Sequence, residues 1–220
     1  MKKLRSLIPR RECWIPLAMC IIINMAVYYG GRLLTVERSY FVLALPLDNA
    51  IPLLPWTVLI YVLAFPTWAL GFLVAAREER PVAYELLTAD QIAKLCCLVV
   101  FLLLPTIMER PQVEGSGFGP WLLRLIYALD EPRMLFPSMH CMESWFCFRS
   151  AMRCQKTGRG YRAFCLISAL LVCVSVVTVK QHVLVDIPAG IAVAELGLWV
   201  SRKTRAGRIY ERLVPESWQQ

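Results

Sequence analysis

Residues 163–200 read AFCLISALLVCVSVVTV-KQH-VLVDIPAGIAVAELGLWV, two apolar runs joined by a short polar hinge. The first run, 163–179, holds seventeen residues and no charge. At ~1.5 Å of rise per residue, a helix of that length approaches the ~30 Å hydrocarbon core of a bilayer. The second run, 183–200, carries Asp186 and Glu195, and a strict hydropathy threshold rejects it. It still reads as a span. Arg202 and Lys203 bound it, and ionisable residues inside a membrane helix mark a functional interior rather than the absence of a helix.

The same reasoning extends outward. Runs at 13–31, 49–76 and 95–108 are free of charge, and 137–152 is interrupted by Glu143 and Arg149. The expectation is a single all-α membrane domain over 1–220, a six-helix bundle with spans near 14–34, 52–76, 91–108, 137–152, 163–179 and 183–200. A basic start followed by an apolar run resembles a signal peptide. However, Tyr28-Tyr29-Gly30-Gly31-Arg32 offers no A-x-A cleavage site, so the run reads as an uncleaved first span. Pro52, Pro55 and Trp56 suit an interfacial entry to the second span, and Pro66 is expected to kink it. After the breaker Gly115-Ser116-Gly117-Phe118-Gly119-Pro120, residues 121–127 read either as a short interfacial amphipathic helix or as a plain loop.

Composition supports a membrane chain. Hydrophobic residues make up 58 %, charged residues 18 %, and the mean hydropathy is +0.53. These values exclude disorder, a collagen-like repeat and a soluble nucleic-acid binder. The formal charge of +8 is not spread as a nucleic-acid stripe. Fifteen of the 24 Lys and Arg fall in three clusters, before Cys13, between Arg149 and Arg162, and between Arg202 and Arg212. Six spans put all three on one face, which the positive-inside rule makes cytoplasmic, together with both termini including Gln220. Short loops and the uncleaved start fit a bacterial inner membrane. The nine cysteines are odd in number and form no C-x-x-C pair, and two histidines complete no zinc-finger spacing. They read as small buried hydrophobes, with no metal site.

Chemistry concentrates on the two histidines. His140 follows Pro137-Ser138-Met139 at the start of the fourth span and His182 starts the sixth, at the same depth on the same face. In His182-x-x-x-Asp186, residues i and i+4 share a helix face. The carboxylate can then fix one imidazole tautomer and leave the other nitrogen free as nucleophile or base. A buried polar pair tying two helices is the alternative. Pro137-Ser138 suits a helix start capped by the Ser oxygen, and free N–H groups there would favour an anion. Glu143 fits a buried structural polar residue that pairs with a basic group on a neighbouring span better than it fits a catalytic group.

Phe136-Pro137-Ser138-Met139-His140 and Lys180-Gln181-His182-Val183-Leu184-Val185-Asp186, within 136–186, resemble the signatures of the type 2 phosphatidic acid phosphatase superfamily, P-S-G-H and S-R-x5-H-x3-D. The closest flavour is the branch with inositol phosphorylceramide synthases and sphingomyelin synthase-like transferases, where a bulkier residue often replaces the Gly. The resemblance implies a phosphatidic acid phosphatase type 2/haloperoxidase-like bundle. In it, His182 attacks phosphorus, Asp186 raises its nucleophilicity, His140 protonates the leaving alkoxide and Ser138 helps hold the phosphoryl oxygens, with no metal or other cofactor. Two positions depart from the pattern. Ser175 matches the family's Ser, but Val176 stands where Arg is expected, which makes Lys180 the substitute cation. Arg110-Pro111 fits the end of the block K-x6-R-P, but Leu103 stands at its Lys. Lys94, expected near the opposite membrane face, is too far away to replace it. Arg110 is either a phosphate contact or an interfacial anchor.

The expected activity is cleavage of a lipid phosphate or diphosphate within the bilayer, at an outward-facing site, through a phosphohistidine. The alternatives are transfer to a lipid or inositol hydroxyl at the same site, and a non-catalytic membrane protein with a decayed site, for which Val176 and Leu103 speak.

Overall fold

In the computed structural model, which describes residues 8–218, the apolar runs fold into helices and no strand forms among the described residues. Lys2, Lys3 and Arg5 of the first basic cluster, and Gln220, lie outside the described residues. The helices are α1 (Arg11–Thr35, with a π-helical stretch at Ala26–Gly30), the short α2 (Pro46–Ala50), α3 (Pro55–Ala75), α4 (Arg80–Leu103), α5 (Phe118–Leu129), α6 (Met139–Arg153), α7 (Arg159–Thr178), α8 (Asp186–Thr204) and the short α9 (Ile209–Leu213). Four of them, α1, α3, α4 and α7, are long and apolar enough to cross a membrane. Their outer faces carry bare hydrophobic side chains such as Leu33, Leu63, Val99 and Ile167, a surface suited to lipid rather than water.

The boundaries follow local chemistry. α4 begins at Arg80, eleven residues before the expected span start at 91, because Pro81 sits in its first turn, where a missing N–H costs nothing. It stops at Leu103, short of the expected 108, just ahead of Pro105. Residues 121–127 lie within the helix α5, which buries Leu123. α3 runs on through Pro66 without interruption. All nine cysteines are free, and seven are buried.

α8 packs against α4 and α6, and α6 packs against α7 and α3. Lys94 of α4 sits about 21 Å along its helix from Arg80, nearer the middle of the bundle than the basic end where the sequence placed it. Its ammonium lies 2.7 Å from Asp90 and 2.9 Å from Glu143 of α6, and it also donates to the Cys20 carbonyl of α1. Glu143 is thus a buried inter-helix ion-pair partner, and Lys94 ties α4 to α6 through it and to α1 through the Cys20 carbonyl.

The two ends of the bundle differ. At one end, Arg10 pairs with Glu79, Arg153 with Glu85 and Lys156 with Glu79, while Ser201 donates to the Glu85 carbonyl. The described parts of all three basic clusters gather there. At the other end, the segments around Phe41, Thr106 and Met134 cross one another through backbone hydrogen bonds. They enclose the starts of α6 and α8, and with them both histidines.

Candidate active site

His182 precedes α8 instead of starting it. The α7 helix ends in a tight turn in which Lys180 adopts a left-handed backbone (φ 52°), and the N–H groups of Gln181 and His182 both donate to the Val176 carbonyl. The His182–Asp186 pair therefore does not come from a shared helix face. Asp186 is the first residue of α8, and its carboxylate folds back to accept from the Val183 N–H at 3.0 Å, while Nδ1 of His182 lies 3.0 Å from the same oxygen. An ionised carboxylate only accepts, so the Nδ1 position carries the proton and Nε2 keeps its lone pair.

The loop is held from outside by Asp48, which sequence reasoning missed. One Asp48 carboxylate oxygen accepts from the Leu184 N–H at 2.7 Å and the other from the Leu45 N–H at 2.7 Å. The Lys180 ammonium donates to the Asp48 and Ile51 carbonyls at 2.8 and 2.7 Å. Lys180, expected as the substitute cation, thus spends two of its three N–H bonds fastening this loop. A signal for Asp48 existed, since it is the one charged residue between Arg38 and Arg77.

His140 is the second residue of α6, two after the Ser138 cap. Its ring stacks on Tyr61 of α3, with centroids 4.1 Å apart and planes 23° apart, and lies edge-on to Phe65 and Trp68. That aromatic box fixes the ring plane. Tyr61 carries no sequence signal, being one aromatic residue among many in an apolar run. The two histidine rings lie 6.0 Å apart. Both line a small cavity of about 80 Å³ with Tyr28, Tyr61, Asp130 and Gln181, while His182 also forms a wall of an open cleft of about 830 Å³ that reaches Arg110, Lys180 and Asn49.

Ser138 is not brought to either cavity. It is fully buried, its hydroxyl accepts from the Cys141 N–H as the cap of α6, and its N–H donates to the Asp186 carbonyl. Its work is to join the starts of α6 and α8, which keeps the histidines in register. Val176 is buried among Tyr61, Leu123 and Cys141, and Leu103 is 74 % exposed on the lipid-facing surface, so neither position approaches the histidines with a cation.

Arg110 lies beside the site. Its guanidinium donates to the Asp130 carbonyl and to the Gln181 side-chain oxygen, and stacks over Tyr127 at 4.7 Å. Burial pulls its pKa below the usual guanidinium range, and neighbouring Asp130 opposes that shift. Burial also pushes the Tyr127 hydroxyl up to about 12, so it stays protonated and donates to the Val179 carbonyl at 2.7 Å.

Of nine buried side-chain nitrogen and oxygen atoms that lack a partner among the described residues, four belong to this site: Nε2 of His140, Nε2 of Gln181, Nε of Arg110 and Oδ1 of Asp186. Buried polar atoms are rarely left unpaired, and such a concentration marks a place where a polar ligand completes the bonding. Among the described residues, no group of three or more His, Cys, Asp and Glu is placed to hold a metal ion. The chain matches no family model, no curated protein and no solved structure.

Proposed function

We propose that the chain is a membrane lipid phosphatase that cleaves a phosphate ester through a phosphohistidine on His182. The observation that carries this reading is the pairing of His182 with Asp186 at 3.0 Å, with a second histidine 6.0 Å away across a shared cavity. The Nε2 lone pair of His182 attacks phosphorus while the ester P–O bond breaks, and Asp186 supports the positive charge that develops on the ring. His140, which takes up a proton as the anionic substrate binds beside it, gives that proton to the departing alkoxide, a role worth roughly 10²–10⁴-fold in rate. Water then attacks the phosphohistidine, His140 takes the water's proton, the P–N bond breaks and inorganic phosphate leaves.

The substrate is a lipid because the site opens at the end of a bundle whose flanks are bare hydrocarbon. In this proposal α6 and α8 cross the membrane with α1, α3, α4 and α7, giving six spans of the type 2 phosphatidic acid phosphatase arrangement. Their ionisable groups support it, since Glu143 is neutralised by Lys94, and Glu195 by Arg149 and the Trp145 N–H. By the positive-inside rule, the basic end faces the cytoplasm and the histidines face outward.

Transfer to an acceptor hydroxyl is the second reading, favoured by the cleft of about 830 Å³ beside His182, which has room for more than a headgroup. The test is phosphate release from phosphatidic acid and a polyprenyl diphosphate by the purified protein, with EDTA present, comparing wild type with His182→Ala. Release abolished by the substitution supports hydrolysis. Absence of release, together with a transfer product in the presence of an acceptor lipid, would replace hydrolysis by transfer. Absence of both from folded protein would refute the catalytic reading.

A further inference from the structure

Gln181 sits between two functional neighbours, and its carboxamide is held by one of them only. Its side-chain oxygen accepts from the Arg110 guanidinium. A guanidinium has donors and no acceptor, so this contact fixes which way the amide points: the oxygen must face Arg110 and the NH2 must face away. That nitrogen is buried and bonded to nothing, in a residue that is 1 % exposed. The same residue lines the small cavity shared by His140 and His182. A buried donor is rarely left unpaired, so a side chain held in this orientation points to a ligand that accepts from it.

We propose that the Gln181 carboxamide is a phosphoryl-oxygen donor of this site, taking a tetrahedral oxyanion between the two histidines in place of the cation that position 176 lacks. The inference rests on the phosphatase reading for its ligand. Arg110 then acts at one remove. It orients the carboxamide and polarises it, because a cation on the oxygen strengthens the N–H groups as donors. Tyr28, Tyr61 and Arg133 share the cavity wall. The one acid there, Asp130, accepts from the Tyr28 hydroxyl at 2.6 Å and lies 4.0 Å from Arg110, which reduces its repulsion of an anion.

The consequence is a donor at this position that adds no charge. A carboxamide holds the transferring group and releases the product anion more readily than a guanidinium fork in the same place, whose charge-assisted bonds are roughly twice as strong.

The test is binding of inorganic phosphate to the purified full chain, read by equilibrium dialysis and by the shift in melting temperature. Wild type is expected to bind saturably. Gln181→Glu keeps an oxygen for Arg110 and replaces the NH2 by a second acceptor. It should keep the melting temperature of the ligand-free protein and lose at least tenfold in phosphate affinity, the size expected for one bond to a charged group. Gln181→Met, of similar volume, should lose a comparable factor. A purely structural role predicts the opposite for the Glu variant, whose link to Arg110 is strengthened. Wild-type phosphate affinity in either variant, or no phosphate binding by wild type, overturns the proposal. If wild type binds phosphate and the variants do not, while no lipid phosphate is cleaved by any of them, the donor assignment stands and the phosphatase reading falls. If lipid cleavage and phosphate affinity are both unchanged in the variants, the reverse holds.

Discussion

Gly190 is where α8 leaves no room for a side chain against the start of α6, and it offers a direct test of how tightly the site geometry is held. A Cβ built there would lie 2.4 Å from the Ser138 carbonyl oxygen and 3.2 Å from the Met142 nitrogen. Both are backbone atoms of the helix start that carries His140, so neither can swing away. Restoring an ordinary contact of about 3.4 Å requires the two helices to part by roughly 1 Å, and a misplacement of that size costs on the order of 10²-fold in rate. The stability cost is about 1–3 kcal/mol for overpacking, partly offset by the ~1 kcal/mol that Ala gains over Gly in a helix. Gly197 supplies the control, two turns further along the same helix. A Cβ there meets the Ala89 carbonyl at the same 2.4 Å, and the Ala93 side chain at 2.9 Å, but it lies away from both histidines. Gly190→Ala and Gly197→Ala are therefore expected to lower the melting temperature alike, while only Gly190→Ala lowers phosphate release per folded molecule, by about 10²-fold. Equal activity losses in the two variants, or full activity in Gly190→Ala, would refute the argument that the contact between these helix starts sets the catalytic geometry.

Three further outcomes are expected. Asp48→Asn can satisfy only one of the Leu45 and Leu184 N–H groups and turns a donor toward the other, so it should cost about 1–3 kcal/mol in the His182 loop, seen as lost phosphate release with most of the melting temperature retained. Lys94→Met leaves Asp90 and Glu143 buried without their cation and should destabilise the protein by about 3–5 kcal/mol. Adding Asp90→Asn and Glu143→Gln should return much of that in thermal unfolding, and a triple variant less stable than the single one would contradict the ion-pair account. Tyr61→Phe keeps the ring stacked on His140 and should retain more activity than Tyr61→Leu, which loses a stacking contact of about 0.5–1.5 kcal/mol; equal rates in the two variants would remove the positioning role.

Much of the helical layout is legible in the sequence because its signal is local. Charge-free runs, Pro81 in the first turn of α4 and Pro105 beyond its end are properties of neighbouring residues. The harder stretch was 80–94, where Arg80, Glu85, Asp90 and Lys94 hide the first half of α4. Those charges are tolerated because their partners come from elsewhere in the chain: Arg153 for Glu85, and Glu143 for Lys94. A hydropathy window sees the cost of each charge and not the partner that cancels it.

The site exposes the same limit at finer scale, in two adjacent residues. Sequence reasoning names Lys180 as the substitute cation for phosphate, because a positive charge two positions before His182 is the obvious attraction for an anion, and it gives Gln181 no role. The backbone decides otherwise. With Lys180 in the left-handed region, its side chain is turned toward the α2 segment, where the Asp48 and Ile51 carbonyls take its ammonium. The next residue is thereby turned the other way, into the wall between the histidines. A four-residue spacing misled in a similar manner: His182 and Asp186 do meet, but across a turn closed by the Val183 N–H, not along a helix face. In both cases residue type announced the chemistry, and a single turn after α7 assigned it to particular side chains. It follows that substitutions which flatten this turn should disturb the site more than loss of the Lys180 charge does. Lys180→Gly keeps the left-handed backbone without strain and loses only the tether, whereas Lys180→Val loses the tether and opposes the turn. Lower phosphate release from the Val variant than from the Gly variant is the expected result, and equal release or the reverse order would refute the argument that this turn sets the site.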